Sequence, residues 1–587
     1  MPRSDEDKAF RNLARLFSTA ALPWLALLLL AGAHLAVAIA RNTWVPRLDD
    51  WEMVKSYLKW RQGYWLDLFT PLEVHVLPGT KLVLFSLWEL FGVQLTVVGI
   101  VNVLLLSVLT TIVLFLLRRE LRGDRAELYI FVPLMMLGLS PFQIVTWGTG
   151  LGITVFYGLA VLVTVLIYSR RWAESLANWH GVWALLVGIM TLYTTGLVFG
   201  LLTGVIFFGH LLASNLRRDR ARLISGLIWF AIIVGYAAGA FVLAFPEISW
   251  RSLTDKEYFA FSWSTGVTFL QTISSPLYRV GERLWPISAL GVACFWIATL
   301  WMMVRSFSRG QTDHLWLALI IAVFAFLALA TSLGRGWQGG FVPRYGMFIG
   351  GLYIAAFLMW MKDPKGKLVG FLLCLAAGAV SLWTQGESFR QLGEYREFEE
   401  VMFQHAEQGM PILGLAITNR LGACEDELRG LKNLGRGWWR TLKENPDFAT
   451  VVVHPSMLVW HHHGQMPDGT VVVLGPETYA TFTPPPLVGK IYAVLVEYTH
   501  RSARNGITIR LSWLKAGREP PFERLGQWSI AKTFWLPSFR IGSRDQFWIG
   551  EEVELLALYP DIVPCEFLVH KIELFVETPN AVPLERR

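Results

Sequence analysis

Charge is what this chain has least of. Only 17% of its 587 residues are Asp, Glu, Lys or Arg, while 54% are hydrophobic and the mean hydropathy is +0.43. A water-soluble protein of this length needs more charge to cover its surface, so composition argues against an ordinary soluble globule and for a polytopic membrane protein. Cysteine is scarce as well, and four residues are too few for a disulfide framework. Cys294 and Cys374 fall inside apolar segments as packing residues, whereas Cys424 and Cys565 lie in a polar C-terminal part where an oxidising compartment would let them pair. Long runs of like charge are also missing. The net charge of +7 comes from short basic loops between apolar runs, so nucleic acid is not implied as a partner. A cleavable leader is not expected either. The apolar segment 17–40 is too long for a signal-peptide core and lacks a small-residue cleavage site, so it reads as a retained first helix.

What the chain does have is apolar length and aromatic side chains. Its 27 Trp and 37 Phe suit a water–lipid boundary. Apolar segments at 17–40, 94–117, 126–143, 152–168, 179–194, 197–214, 223–245, 286–304, 315–333, 346–361 and 368–385 predict about eleven crossings, each near the ~20 residues a span needs. Segment 79–91 is too short to span and reads as an interfacial helix. Alternate loops carry Arg118, Arg119, Arg122 and Arg125, then Arg170 and Arg171, then Arg217, Arg218, Arg220 and Arg222. Arg305 and Arg309, then Lys362, Lys365 and Lys367, continue the series. That alternation predicts a cytoplasmic N-terminus, a multi-pass inner-membrane location and an extracytoplasmic, periplasmic C-terminal region.

The predicted organisation is a transmembrane region over 1–385, a helical connector over 386–445 and an extracytoplasmic β-sandwich over 446–587. Period-two patterning at 490–498, 507–513, 553–555 and 566–577 supports the last, as an α+β region with a jelly-roll-like sandwich. His461, His462 and His463 are consecutive, so on a strand they diverge rather than converge on one metal ion.

The opposite loops carry the residues of chemical interest. Asp49 and Asp50 follow the first segment, with Trp51 behind them. Glu73, His75 and Lys81 lie further along the same loop, Gln143 and Trp147 in the next, and Arg335, Arg344 and Tyr345 in a late one. Basic residues are sparse in extracytoplasmic loops, so Arg335 and Arg344 ask for an anionic partner, and their fork-shaped donors suit a phosphate. Helix capping or loop solvation is the lesser alternative for the acidic pair, and interfacial anchoring the favoured one for the tryptophans.

Asp49-Asp50-Trp51, Glu73-Val74-His75 with Pro78, Gly334-Arg335 and Pro343-Arg344-Tyr345, in that order on one face, resemble the GT-C superfamily of polyprenyl-phosphate-sugar-dependent glycosyltransferases, in its bacterial branch. The resemblance covers about 15–385 in topology. It implies an inverting transfer of sugar from a polyprenyl-phosphate donor to an extracytoplasmic acceptor, which would be a glycan, lipid or protein, in contact with membrane lipids. One of Asp49 and Asp50 is then the base. The phosphate falls to Arg335 and Arg344, with Lys81 a weaker candidate, while Glu73, His75, Gln143, Trp147 and Tyr345 border the substrate. A divalent cation, Mg or Mn, has a place beside the acidic pair. The alternative is a polymerase or ligase of lipid-linked oligosaccharides, which would not need that pair. A transporter or flippase would want ionisable groups at mid-membrane depth, and the apolar segments hold almost none.

Overall fold

A computed structural model of the chain describes residues 22–47, 50–70, 77–120, 149–150, 152–153, 263–274, 278–308, 392–418, 424–475, 477–484, 490–502, 506–515, 528–532, 541–560 and 565–577, with scattered helical positions between 183 and 390. The chain divides into two compact units, Met1–Glu397 and Phe398–Arg587.

The first unit opens with α1, Leu22–Arg41, a 20-residue helix rich in Leu and Ala. Then come α2 (Asp50–Arg61), a 3-10 turn (Trp65–Phe69), α3 (Pro78–Phe91), α4 (Leu95–Glu120), α5 (Trp263–Ile273) and α6 (Tyr278–Ser308). Pro78 begins α3, where its missing N–H costs nothing, and Gly92 ends it with φ 84°, its N–H closing on Trp88 O. α4 tolerates its mid-helix hydroxyls because each turns back on its own helix. Ser107 donates to Val103 O, Thr110 to Leu106 O and Thr111 to Ser107 O, each at 2.8 Å.

The expected fold class needs correcting here. In place of about eleven crossings, two helices among the described residues are long and apolar enough to cross a membrane, Trp24–Arg41 within α1 and Leu95–Ile112 within α4. The expected crossing at 286–304 lies in the long helix α6, of which Leu290–Arg305 is an apolar stretch among the described residues. The expected crossings at 126–143, 197–214 and 346–361, among others, fall largely outside the described residues.

The second unit begins within a helix over 392–407 and continues through α7 (Ile412–Thr418) and α8 (Glu425–Asn433) into strands. The strands are β1 (Phe448–Val453), β2 (Val459–His461), β3 (His463–Gln465), β4 (Val471–Val473) and β5 (Tyr479–Phe482). They continue with β6 (Lys490–Ser502), β7 (Gly506–Lys515), β8 (Trp528–Lys532), β9 (Ile541–Tyr559) and β10 (Cys565–Glu577). In place of the expected jelly-roll-like β-sandwich, the strands form one connected ten-stranded antiparallel sheet.

The link is β9. Its first part pairs with β6 and its second with β5 and β7. Between them Trp548 faces Ala493 and Glu551 faces Ile491, so Ile549 and Gly550 bulge out of the ladder. Gly550 sits at φ 75°, and a Cβ there would come within 3.0 Å of the Trp548 indole nitrogen. A glycine bulge of this kind bends a strand and raises its twist, which turns one strand from one face of the core to the other. Val494, Val496, Leu511, Leu556, Leu558, Ile572 and Leu574 are fully buried between the two faces. Cys424 and Cys565 are not joined by a disulfide. His461 and His463 end and begin different strands across His462, whose φ is 51°, so the three imidazoles are split by a turn.

Candidate functional site

The first loop builds its site from hydrogen bonds that ignore sequence distance. Asn42 donates from Nδ2 to Leu95 O at 2.8 Å, and Leu95 N donates to Trp44 O at 2.9 Å. The end of α1 is thereby laced to the start of α4. Asp50 N then donates to Arg47 O at 3.0 Å and opens α2, where a carboxylate in the first turn opposes the exposed helix N–H groups. Asp50 is 1% exposed, and its Oδ1 accepts from Gly150 N at 2.6 Å. Gly150 is held in turn from α4, because Asn102 donates to Thr149 O at 3.1 Å. A Cβ on Gly150 would lie 2.8 Å from Leu84 Cδ2 and 3.1 Å from Asp50 Oδ1, so only glycine brings its amide this close without a shift.

Lys81 is the second sequence-predicted residue that the structure describes. It is 1% exposed on α3, and Nζ donates to Ser56 Oγ at 2.8 Å, Asp67 O at 2.7 Å and Thr70 O at 2.9 Å, with Asp67 Oδ2 at 4.0 Å. An ammonium has three protons, and each has an acceptor here. Lys81 therefore pins the 3-10 turn between α2 and α3 and has no proton left for a leaving phosphate. Burial lowers its pKa to about 8, with the Asp67 carboxylate raising it and Lys59 lowering it further. Beside the pin, Tyr57 donates to Glu89 at 2.9 Å and Arg61 pairs with Glu89 at 3.2 Å.

No family model matches. No curated protein matches either. Among solved structures, the C-terminal CBM6 of LamC, a marine laminarinase from Zobellia galactanivorans, is similar over 22% of this chain and 99% of its own, at 12% identity and a TM-score of 0.16. A likeness of that size carries no conclusion about the site.

Of the predicted site residues, Asp50 and Lys81 are described and occupy separate networks, one with Gly150 and one with Ser56, Asp67 and Thr70. Asp49, Glu73, His75, Gln143, Trp147, Arg335, Arg344 and Tyr345 lie outside the described residues. Sequence reasoning missed Arg47, which is 1% exposed with its guanidinium 4.7 Å over the Tyr395 ring, and it missed Gly150. A cation three residues ahead of an acid at the foot of a helix was a usable signal for Arg47. Gly150 had no local signal, since its partner is 100 residues away. Among the described residues no three His, Cys, Asp or Glu side chains gather as a metal site, and Asp50 Oδ1 accepts from a backbone amide.

Proposed function

We propose that the chain is an inverting glycosyltransferase that moves a sugar from a polyprenyl-phosphate-linked donor to an extracytoplasmic acceptor, with the acidic pair of the first loop at the reacting centre. The supporting observation is the Asp50 carboxylate, buried and held through one oxygen by Gly150 N–H, in the loop that laces two long apolar helices together. A carboxylate so fixed suits orientation, which leaves the proton to Asp49. In the step, the acceptor oxygen attacks the anomeric carbon as its proton passes to the Asp49 carboxylate. The bond from that carbon to the donor phosphate breaks, and polyprenyl phosphate leaves against Arg335 and Arg344. Lys81, whose Nζ already has three acceptors, is given no part in that last role.

The test is transfer of labelled sugar from a polyprenyl-phosphate donor by the purified full chain. Asp49→Asn should lose ~10²–10⁴-fold in rate, the usual worth of a general base. Asp50→Asn keeps an oxygen for Gly150 N–H and should lose less. Gly150→Ala should lower kcat while leaving the donor KM unchanged, because it displaces Asp50 without touching the donor. Full activity in the double Asn variant would remove the acidic pair from the chemistry and leave the polymerase or ligase reading.

A further inference from the structure

The segment joining α1 to α2 is buried without being helical. Asn42, Thr43 and Val45 are 3%, 0% and 0% exposed, and Arg47 is 1% exposed. Its first half is tied to α4 through Leu95, and Arg47 O accepts from Asp50 N at 3.0 Å. That last bond spans Leu48 and Asp49 in sequence, so the stretch carrying the acidic pair is anchored at Arg47 on one side and, through Asp50 Oδ1, at Gly150 on the other. The Arg47 side chain is held as well as its carbonyl. Its guanidinium lies 4.7 Å over the ring of Tyr395, in the helix over 392–407, inside the ~6 Å reach of a cation–π contact. A guanidinium keeps its proton at every working pH, and a permanent charge out of water is tolerated only where opposite charge, hydrogen bonds or aromatic faces meet it. Asp50, three residues on and 1% exposed, is the described carboxylate nearest to Arg47 in sequence.

We propose that Arg47 is a positioning residue for the acidic pair: clamped over Tyr395, it fixes the stretch that carries Asp49 and Asp50, and its charge offsets that of the buried Asp50 carboxylate. Arginine suits the place better than lysine. Its flat, weakly hydrated cation lies over a ring without a shell of water, whereas an ammonium is a strongly hydrated point charge. Tyr395 is remote in sequence from Leu95 and from Gly150, so the acidic stretch draws its anchors from three separate parts of the chain. Without the Tyr395 clamp, Asp50 keeps its bond to Gly150 but loses the fixed end behind it. Asp49 then shifts against the acceptor, which slows the chemistry and leaves donor binding alone. That catalytic role rests on the transfer reading, while the pairing of the Arg47 and Asp50 charges stands without it.

Two measurements on the purified full chain test the two parts. The first follows denaturant unfolding of Arg47→Gln, Asp50→Asn and the double variant. Each single variant leaves one charge buried without its opposite and the double variant leaves neither, so the double should lose less stability than the two single losses added. Where Arg47→Gln alone fails to fold, recovery of the fold in the double variant is the same coupling. Additive losses, or no recovery, would overturn the proposal. The second measures sugar transfer from a polyprenyl-phosphate donor. Arg47→Lys and Tyr395→Leu should lower kcat by up to ~10²-fold with the donor KM unchanged, the scale of a displaced reacting group. Tyr395→Phe keeps the ring and should recover most of the loss seen in Tyr395→Leu. A raised donor KM at unchanged kcat would make Arg47 a donor contact, and equal losses in the two Tyr395 variants would put the effect in the hydroxyl; either result overturns the positioning role. A wild-type chain that transfers no sugar would overturn the transfer reading and the positioning role with it, while the unfolding cycle still decides the charge pairing.

Discussion

The helical stretch over 50–91 and the ten-stranded sheet sort their side chains by opposite rules. In the sheet, Val494, Leu511, Leu558 and Ile572 are fully buried, as expected of a fold surrounded by water. In the helical stretch Asp50 and Lys81 are 1% exposed, as is Arg47 just ahead of it, while Leu90 is 75% exposed. Both arrangements follow from the same physics. A buried charge is tolerated only when its hydrogen bonds are met, and Lys81 meets all of its own. An exposed leucine is favourable only where the surroundings are themselves apolar. The contrast shows that burial has to be judged against the solvent each region faces.

Four changes would break or sharpen that contrast. The largest effect is expected in the sheet, where Phe567 is fully buried and stacked on Tyr498 at 4.8 Å. Phe567→Ala should cost about 3–5 kcal/mol in denaturant unfolding followed by the strand circular dichroism signal; a cost under about 1 kcal/mol would mean the sheet has no water-excluding core there. Next, Lys81→Met leaves three acceptors and the Asp67 carboxylate buried without their cation, at about 3 kcal/mol, read as lost amide exchange protection over 50–91. Adding Asp67→Asn should recover part of that loss, and no recovery would show that the carboxylate was never the cost.

A smaller effect distinguishes the sheet by pH. His500 is 2% exposed on β6, and burial lowers its pKa from the ordinary 6.5, against a weaker opposing pull from the Asp545 carboxylate. The folded chain thus binds the proton less readily than the unfolded one. The stability this imposes is present above pH 6.5 and falls as pH drops from there towards the lowered pKa. His500→Leu should flatten that part of the stability–pH curve, and an unchanged slope would assign it to another group. The smallest effect belongs to the exposed face. Leu90→Ser should change stability in detergent by less than about 0.5 kcal/mol, and a large loss would show that Leu90 packs against protein.

The sequence made parts of this readable. The apolar runs at 17–40 and 94–117 anticipate α1 and α4, because a long uninterrupted run is a local signal, and the same holds for the alternation at 490–498 and 566–577 in β6 and β10. Local signals fail where the partner is distant. Lys81 read as a cation near a membrane surface, and only Ser56, Asp67 and Thr70 reveal it as a pin. β9 read as an alternating run beginning at Val553, and the bulge at Gly550 that lets it run through Ile541–Tyr559 depends on its opposite partners. The hold on Asp50 by Gly150 belongs to the same class.

The position of β10 has a consequence for how the sheet assembles. β10 follows all the other strands in the chain, yet it pairs with β6 on one side and with β1 and β4 on the other. Phe448 therefore waits for Glu577, and Cys565 for Val473, before either ladder closes. Such long-range pairings make folding slow, since loop-closure entropy is lost before the contacts that repay it form. Until β10 emerges from the ribosome, β6 has an open edge with Val494, Leu495 and Val496 beside it, a strand template that other chains can occupy. Synthesis rate and chaperone supply should consequently control the yield of this sheet more strongly than its final stability does.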